Sequence, residues 1–125
     1  MNYLLVALGG GIGAAARYGV NVGSTKFLGG GFPWHTLIVN VLGCFIMGVL
    51  TEAMALRLNV SNDMRLFLTT GILGGFTTFS AFALDFALMW ARRDYFIAGS
   101  YAVASVALSF IACFVGLAVV RALLA

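Results

Sequence analysis

Gly71-Ile-Leu-Gly-Gly-Phe-Thr-Thr-Phe-Ser-Ala-Phe82 places glycines and hydroxyls in the middle of an apolar run that extends from about Met64 to Trp90. That run is longer than the ~20 residues a helix needs to cross a bilayer core. Its centre falls near Thr77, so a break in the helix would lie at about mid-membrane depth. Non-helical backbone at that depth persists only where protein buries it or where it lines a polar cavity. A helix broken at the midplane is therefore an expected functional site, since transporters use such breaks to bind ions.

The whole chain agrees with this membrane reading. Of its 125 residues, 62% are hydrophobic and 9% charged, against roughly 25% charged in soluble domains. Four apolar stretches are visible, at about Tyr3–Val22, Trp34–Leu56, Met64–Trp90 and Tyr95–Leu124. The connections around Lys26–Pro33, Arg57–Asp63 and Arg92–Asp94 are too short for a soluble domain. The expectation is an all-α membrane protein with one four-span domain over residues 1–125 and a broken third helix. The first stretch lacks a basic n-region, which argues against a cleaved signal peptide. Cys44 and Cys113 have no His or acidic neighbour at ligand spacing and read as buried free thiols. No nucleophile–base pair or metal set appears, so neither an enzyme nor a nucleic-acid partner is expected.

The distribution of charge says more than the net +3. With four crossings, Arg57, Arg65 and Arg121 share one side of the bilayer; Lys26, Arg92 and Arg93 lie on the other, with Arg17 near the end of the first span. Orientation normally follows an excess of Lys and Arg on the cytoplasmic side. Here the two sides nearly balance, which predicts insertion in both orientations; insertion kinetics fixing one topology is the competing reading.

Gly9/Gly13 and Gly10/Ala14 form small-xxx-small pairs suited to close helix packing. Arg17 either snorkels to the interface or faces a wet vestibule that draws anions. Pro33-Trp34-His35 reads as an interfacial helix start. Asn40, about two turns further in, is either interhelical glue or a pore-lining donor, because an unpartnered amide in hydrocarbon is costly. In the third span, Gly74-Gly75 and Thr77-Thr78 favour a local break and free carbonyls that need partners. Phe79 and Phe82 stand at i, i+3 with Ser80 between them, and simple packing is the plain reading of such a pair. Asp85 can pair with Arg92 two turns on, or guard a pore mouth. In the last span Tyr101, Ser105 and Ser109 recur at i, i+4, i+8, on one helical face. That face either packs on a neighbour or forms a polar track.

A chain that inserts both ways assembles naturally as an antiparallel homodimer with its two-fold axis in the membrane plane. An interface residue at mid-depth then meets its own copy. The carbonyls freed at the break, doubled by the partner, would make an oxygen cage suited to a desolvated cation such as Na⁺. Permeation would run off-axis, twice per dimer.

Over essentially its full length the sequence resembles the Fluc/CrcB family of small fluoride channels. The Gly71–Phe82 stretch is close to that family's GxxGGxTTFSTF signature, supported by Gly13–Arg17, by Thr36-Leu-Ile-Val-Asn40 with Gly43, and by Tyr101, Ser105 and Ser109. The resemblance implies a dual-topology homodimer in the bacterial inner membrane, with two fluoride pores and a structural Na⁺ on the axis. It assigns the Na⁺ to the main-chain carbonyls of Gly74 and Thr77. It puts the fluoride-contacting rings at Phe79 and Phe82, the pore asparagine at Asn40, and pore polar groups at Ser80, Tyr101, Ser105 and Ser109. Arg17 and Asp85 fall at the vestibule. Aromatic rings carry a positive edge, so a small anion held edge-on gains weak attraction and can still leave, as conduction requires. The sequence departs from many relatives at Ala81 and Ala83, where hydroxyls are lost, and at Asp85, which replaces a glutamate.

Two other classes compete. A small proton-coupled multidrug exporter shares the size and span number but needs a membrane-buried carboxylate. The first span here has none, and Glu52 and Asp85 lie toward span ends. A non-transporting scaffold subunit would explain the small-residue packing and leave Asn40, the break and the phenylalanine pair without a common cause.

Overall fold

The computed structural model describes residues 2–29, 32–56 and 60–124, all of it helix and short connections. Four segments are long and apolar enough to cross a membrane: Asn2–Leu28, Trp34–Leu56, Asn62–Ala91 and Tyr95–Leu124. The protein is thus a multi-pass membrane protein of helical architecture. Arg57, counted above in the charge balance, lies outside the described residues.

Helix α1 (Asn2–Leu28) continues beyond Val22, where the hydropathy fades. The polar residues there support the helix: the Ser24 hydroxyl donates to the Asn21 carbonyl at 3.3 Å, an i→i−3 bond that satisfies it locally. Gly29 ends the helix with φ +83°, its N–H donating to Thr25 O at 3.2 Å. A left-handed residue just past a helix end is glycine's usual place. Pro33, whose missing N–H would have no helical partner in any case, precedes α2 (Trp34–Leu56) and accepts from Leu37 N–H.

The third span is composite. Helix α3 (Asn62–Arg65) is capped by the Ser61 hydroxyl, which accepts from Met64 N–H at 3.2 Å. A π-helical segment, Leu66–Leu73, follows, the wide-turn form that is rare at such length. Helix α4 (Gly74–Phe76) is a single turn, and α5 (Ser80–Ala91) resumes three residues later. Helix α6 (Tyr95–Leu124) completes the bundle. The α5–α6 corner is a Schellman turn: Arg93 at φ +65° donates to Trp90 O, and Asp94 N–H donates to Met89 O, both at 3.0 Å.

Two close helix contacts organise the chain. Along one, α1 lies on the π-helical segment and α4; along the other, α2 lies against α6. Both depend on missing Cβ atoms. A methyl on Gly13 would run into Ile72 O, and one on Gly75 would come within 2.9 Å of Gly10 Cα. Across α2 and α6, Gly48 faces the Cys113 carbonyl and Gly116 faces that of Phe45. Lipid gives no hydrophobic drive for helix association, so such backbone proximity supplies van der Waals contact directly. Of the deepest side chains, Met89 and Tyr101 cluster with Ala98 between α5 and α6, while Thr36 and Val39 lie on α2. Large apolar residues such as Leu8, Ile12, Val103 and Phe114 remain exposed on the outer faces, as lipid-facing positions require.

Candidate functional site

The site grows from the residues between α4 and α5. Phe76 is the last helical residue of α4, and Thr77 is extended, at φ −83° and ψ 157°. Gly74 and Gly75, expected from their type to favour non-helical backbone, are helical here. Gly75 serves instead as the flat spot against Gly10. The backbone leaves the helix at the threonines, and three side chains take over its hydrogen bonds.

Asn40 supplies two of them. Its Nδ2 donates to the Thr78 carbonyl at 2.8 Å, and Thr78 N–H donates to its Oδ1 at 2.8 Å. One amide side chain thereby pairs both backbone groups of a residue that has left the helix. The Thr78 hydroxyl accepts from Ala81 N–H at 3.2 Å and acts as a cap for α5. The Thr77 hydroxyl donates to Leu73 O at 3.0 Å. Of the two readings of Asn40, interhelical glue is the one these bonds display, with one amide hydrogen left over.

Diverting those donors has a consequence for the carbonyls. In an α-helix Thr78 N–H would bond Gly74 O and Ala81 N–H would bond Thr77 O. Here the first goes to Asn40 and the second to the Thr78 hydroxyl. The carbonyl oxygens of Gly74 and Thr77 are thus among those that lose their α-helical donors at the break, along with those of Gly75 and Phe76. Neutral oxygens of this kind are ligands for hard cations, so the donor set fits the Na⁺ expected there.

Beside the interruption is a cavity of about 240 Å³ bounded by Asn40, Cys44, Thr77, Thr78, Phe79, Phe82, Ser105, Val106, Ser109 and Phe110. Phe79 and Phe82 lie edge to face, with centroids 5.6 Å apart. Phe79 is 77% exposed, so a single chain leaves half of this aromatic pair uncovered. Ser105 and Ser109 are buried on the inner face of α6. The Ser105 hydroxyl is only 5% exposed as a residue and has no hydrogen-bond partner among the described residues. Ser80 is exposed at the start of α5, 3.4 Å from the Thr78 hydroxyl, and does not border the cavity. Cys44, Val106 and Phe110 do border it and carried no signal in the sequence beyond apolar character.

Tyr101 lies one turn from Ser105 and is fully buried. Its ring meets Phe82 at 5.2 Å and Phe32 at 5.3 Å, and its hydroxyl donates to Asp85 Oδ2 at 3.1 Å. Thr36 donates to the same oxygen at 2.8 Å. Asp85 is thus held by two hydroxyls of α2 and α6. Arg92 pairs with Asp94 at 3.7 Å instead, so the Asp85–Arg92 ion pair weighed from sequence spacing is not the one formed.

Arg17 faces inward. It borders a cavity of about 270 Å³ with Tyr18, Asn21, His35, Thr36 and Thr78, and its Nε is buried without a partner among the described residues. His35 also borders a second cavity, about 220 Å³, shared with Asp85 and Arg92. One end of the chain therefore carries two polar hollows, and Thr78 borders both the Arg17 hollow and the aromatic cavity.

Four spans, side-chain-clamped backbone in the third, and a polar face on the fourth define a small helical membrane protein of transport type. The pattern of the family described as CrcB-like protein, Camphor Resistance (CrcB), matches residues 4–117, and the chain belongs to that family. It is 53% identical over 120 residues to the fluoride-specific ion channel FluC of Rhizobium leguminosarum bv. trifolii (strain WSM2304), covering 96% of each chain. It is 52% identical over 121 residues to the FluC protein of Chelativorans sp. (strain BNC1), covering 97% of each. The FluC protein of Rhodopseudomonas palustris (strain BisB5) is 49% identical over 123 residues, covering 98% of this chain and 99% of its own.

Proposed function

We propose that this protein is a passive fluoride-selective channel of the bacterial inner membrane, working as an antiparallel, dual-topology homodimer. The third helix is functionally broken at Thr77–Phe79, and two pores run off the dimer axis. A structural Na⁺ on that axis is held by the Gly74 and Thr77 carbonyls of both copies. The Na⁺ supplies fixed positive charge where four carbonyl dipoles converge; no permeation step runs through it.

The reading is carried by one juxtaposition. Phe79, Phe82, Asn40 and Ser105, whose hydroxyl has no partner among the described residues, border a single cavity. Ring edges offer weak positive potential, and neutral donors replace part of a hydration shell without the full charge that would trap fluoride. Arg17 would raise the anion concentration at the approach, and Tyr101 with Asp85 would bound the track at that same end. The exposure of Phe79 is the feature that a second copy would cover. Near-equal basic charge on the two sides supports both orientations. Export of fluoride that enters as HF is the proposed physiological direction, and it rests on the family resemblance alone.

The test is efflux from liposomes, followed with a fluoride electrode and compared with chloride. Rapid passive fluoride loss with little chloride loss is expected; no fluoride loss from folded protein would sink the channel reading. Tagged termini are expected on both faces of the membrane, and accessibility confined to one face would refute dual topology.

A further inference from the structure

His35 is the only histidine of the chain, and it borders both polar hollows. Asp85 and Arg92 stand in one of them, Arg17 and Tyr18 in the other. Its ring is half-buried and makes no hydrogen bond or ion pair among the described residues. Neither ring nitrogen is enclosed, so both are open to a guest. The Arg17 Nε, by contrast, is enclosed, which leaves only the outer nitrogens of that guanidinium available. The charged and titratable groups that share these hollows with His35 are Arg17 and Tyr18 from α1, Asp85 from α5, and Arg92 just beyond α5. Arg92 pairs with Asp94, and the Arg17 charge is matched by that of Asp85. With a neutral imidazole the mouth therefore carries no net formal charge. One proton on His35 makes it positive.

We propose that His35 is a titratable anion-capture residue at the mouth of the conduction path, drawing fluoride into the Arg17 hollow when its ring is protonated. The inference rests on the channel reading above. Histidine is the side chain that changes charge between about pH 5 and 8. A neutral imidazole offers an anion one N–H donor and one repelling lone pair; the charged ring offers two donors and no lone pair. A proton from solvent thus turns the unfavourable nitrogen into a second ligand. Asp85 competes weakly for that donor, because its Oδ2 already accepts from Thr36 and Tyr101. The captured ion stays in a wet, half-open place, where attraction speeds entry without the trapping that a dry site would impose. The next wall it meets includes Thr78, which the Arg17 hollow shares with the aromatic cavity.

The test is valinomycin-dependent fluoride efflux from liposomes at low fluoride, from about pH 8 to about pH 5.5, across the histidine range. Valinomycin supplies the potassium counterflow that an ion current needs and that leak of neutral HF does not, and protein-free liposomes are run at each pH. In the wild type the initial rate rises on acidification by up to about tenfold, the low end for charge focused in a cleft, and the rise shrinks as salt screens it. His35→Gln and His35→Ala, neutral at every pH, show no rise; His35→Arg, charged at every pH, shows none either and is salt-sensitive throughout. Each variant is compared with its own rate at the alkaline end, so differing amounts of folded protein cancel. A rise that persists in both His35→Gln and His35→Ala would assign the titration to another group, such as Asp85, and overturn the proposal. So would a wild-type rate that is flat or falls on acidification. Absence of valinomycin-dependent fluoride efflux at every pH would instead refute the channel reading, so the two failures are told apart.

Discussion

Replacing Asn40 by Ala removes both bonds that hold Thr78, and the structure sets the size of the effect. Two backbone groups, each paired at 2.8 Å, lose their partners at membrane depth. A buried backbone group left unpaired costs about 1–3 kcal/mol. Thr78 is half-buried and adjoins two cavities, so water can take over part of the pairing. The expected loss therefore lies at the low end for two groups, ~2–3 kcal/mol. Interhelical bonds measured in membranes set a floor of ~1 kcal/mol for the pair. Asn40→Asp sharpens the test through pH. The introduced carboxyl, when protonated, can donate to Thr78 O and accept from Thr78 N–H; ionised, it turns an oxygen toward the Thr78 carbonyl. Folding thus favours the protonated form and raises its folded-state pKa, so its stabilisation is present at acid pH and lost as pH rises through that value. Equilibrium unfolding in mixed micelles, run across pH for both variants, measures this. Fluoride efflux from the same preparations reports the pore. A loss under ~0.5 kcal/mol in Asn40→Ala with unchanged efflux would refute the clamp. A pH-flat Asn40→Asp would do the same for the bonding pattern.

Phe79→Ile and Phe82→Ile should each lower fluoride flux sharply while the oligomer elutes as wild type on size exclusion; wild-type flux in both would leave the rings as packing alone. Gly13→Ala forces a methyl into Ile72 O, and overpacking of this kind costs about 1–3 kcal/mol. Gly19→Ala, with open space around it, should not lower the unfolding midpoint, and equal behaviour of the two would contradict the α1 contact. Arg93→Gly should raise the unfolding free energy by about 0.5–1 kcal/mol and the midpoint with it, because a left-handed φ is unfavourable for a side-chain-bearing residue. A lowered midpoint would mean that the Arg93 side chain contributes more than its backbone strain removes.

The spans were legible because lipid imposes a length and a polarity on every crossing segment, and two of the four, Trp34–Leu56 and Tyr95–Leu124, coincide with the apolar stretches. The first helix outruns its stretch by six residues, to Leu28. Hydropathy cannot see a helix whose polar side chains bond their own backbone, as Ser24 does with Asn21. Nor could it see the π-helical segment Leu66–Leu73. An apolar run reads the same whether its amides reach back four residues or five. Gly74 and Gly75 show where residue type misleads. Glycine can open a helix or let another backbone approach it, and with Gly10 close behind Gly75 the second use is the one the packing selects.

The site followed a different logic. Asn40, Ser105 and Ser109 were visible because polar groups in an apolar span need a reason, and their spacing put them on chosen faces. Asp85 was visible as a charge, but its partners were not. Arg92 was the nearer cation in sequence, yet the carboxylate is held by Thr36 and Tyr101, 49 and 16 positions away. Sequence spacing counts only neighbours on one helix, whereas a carboxylate drawn out of water takes the donors that converge on it in space. Cys44 shows the same limit from the other side. As a residue type it fits any apolar span, and only the approach of α6 to α2 turns it toward a cavity. What the sequence cannot express is convergence. The chemistry-bearing positions here lie on four separate helices, brought together by glycines that bear no chemistry themselves.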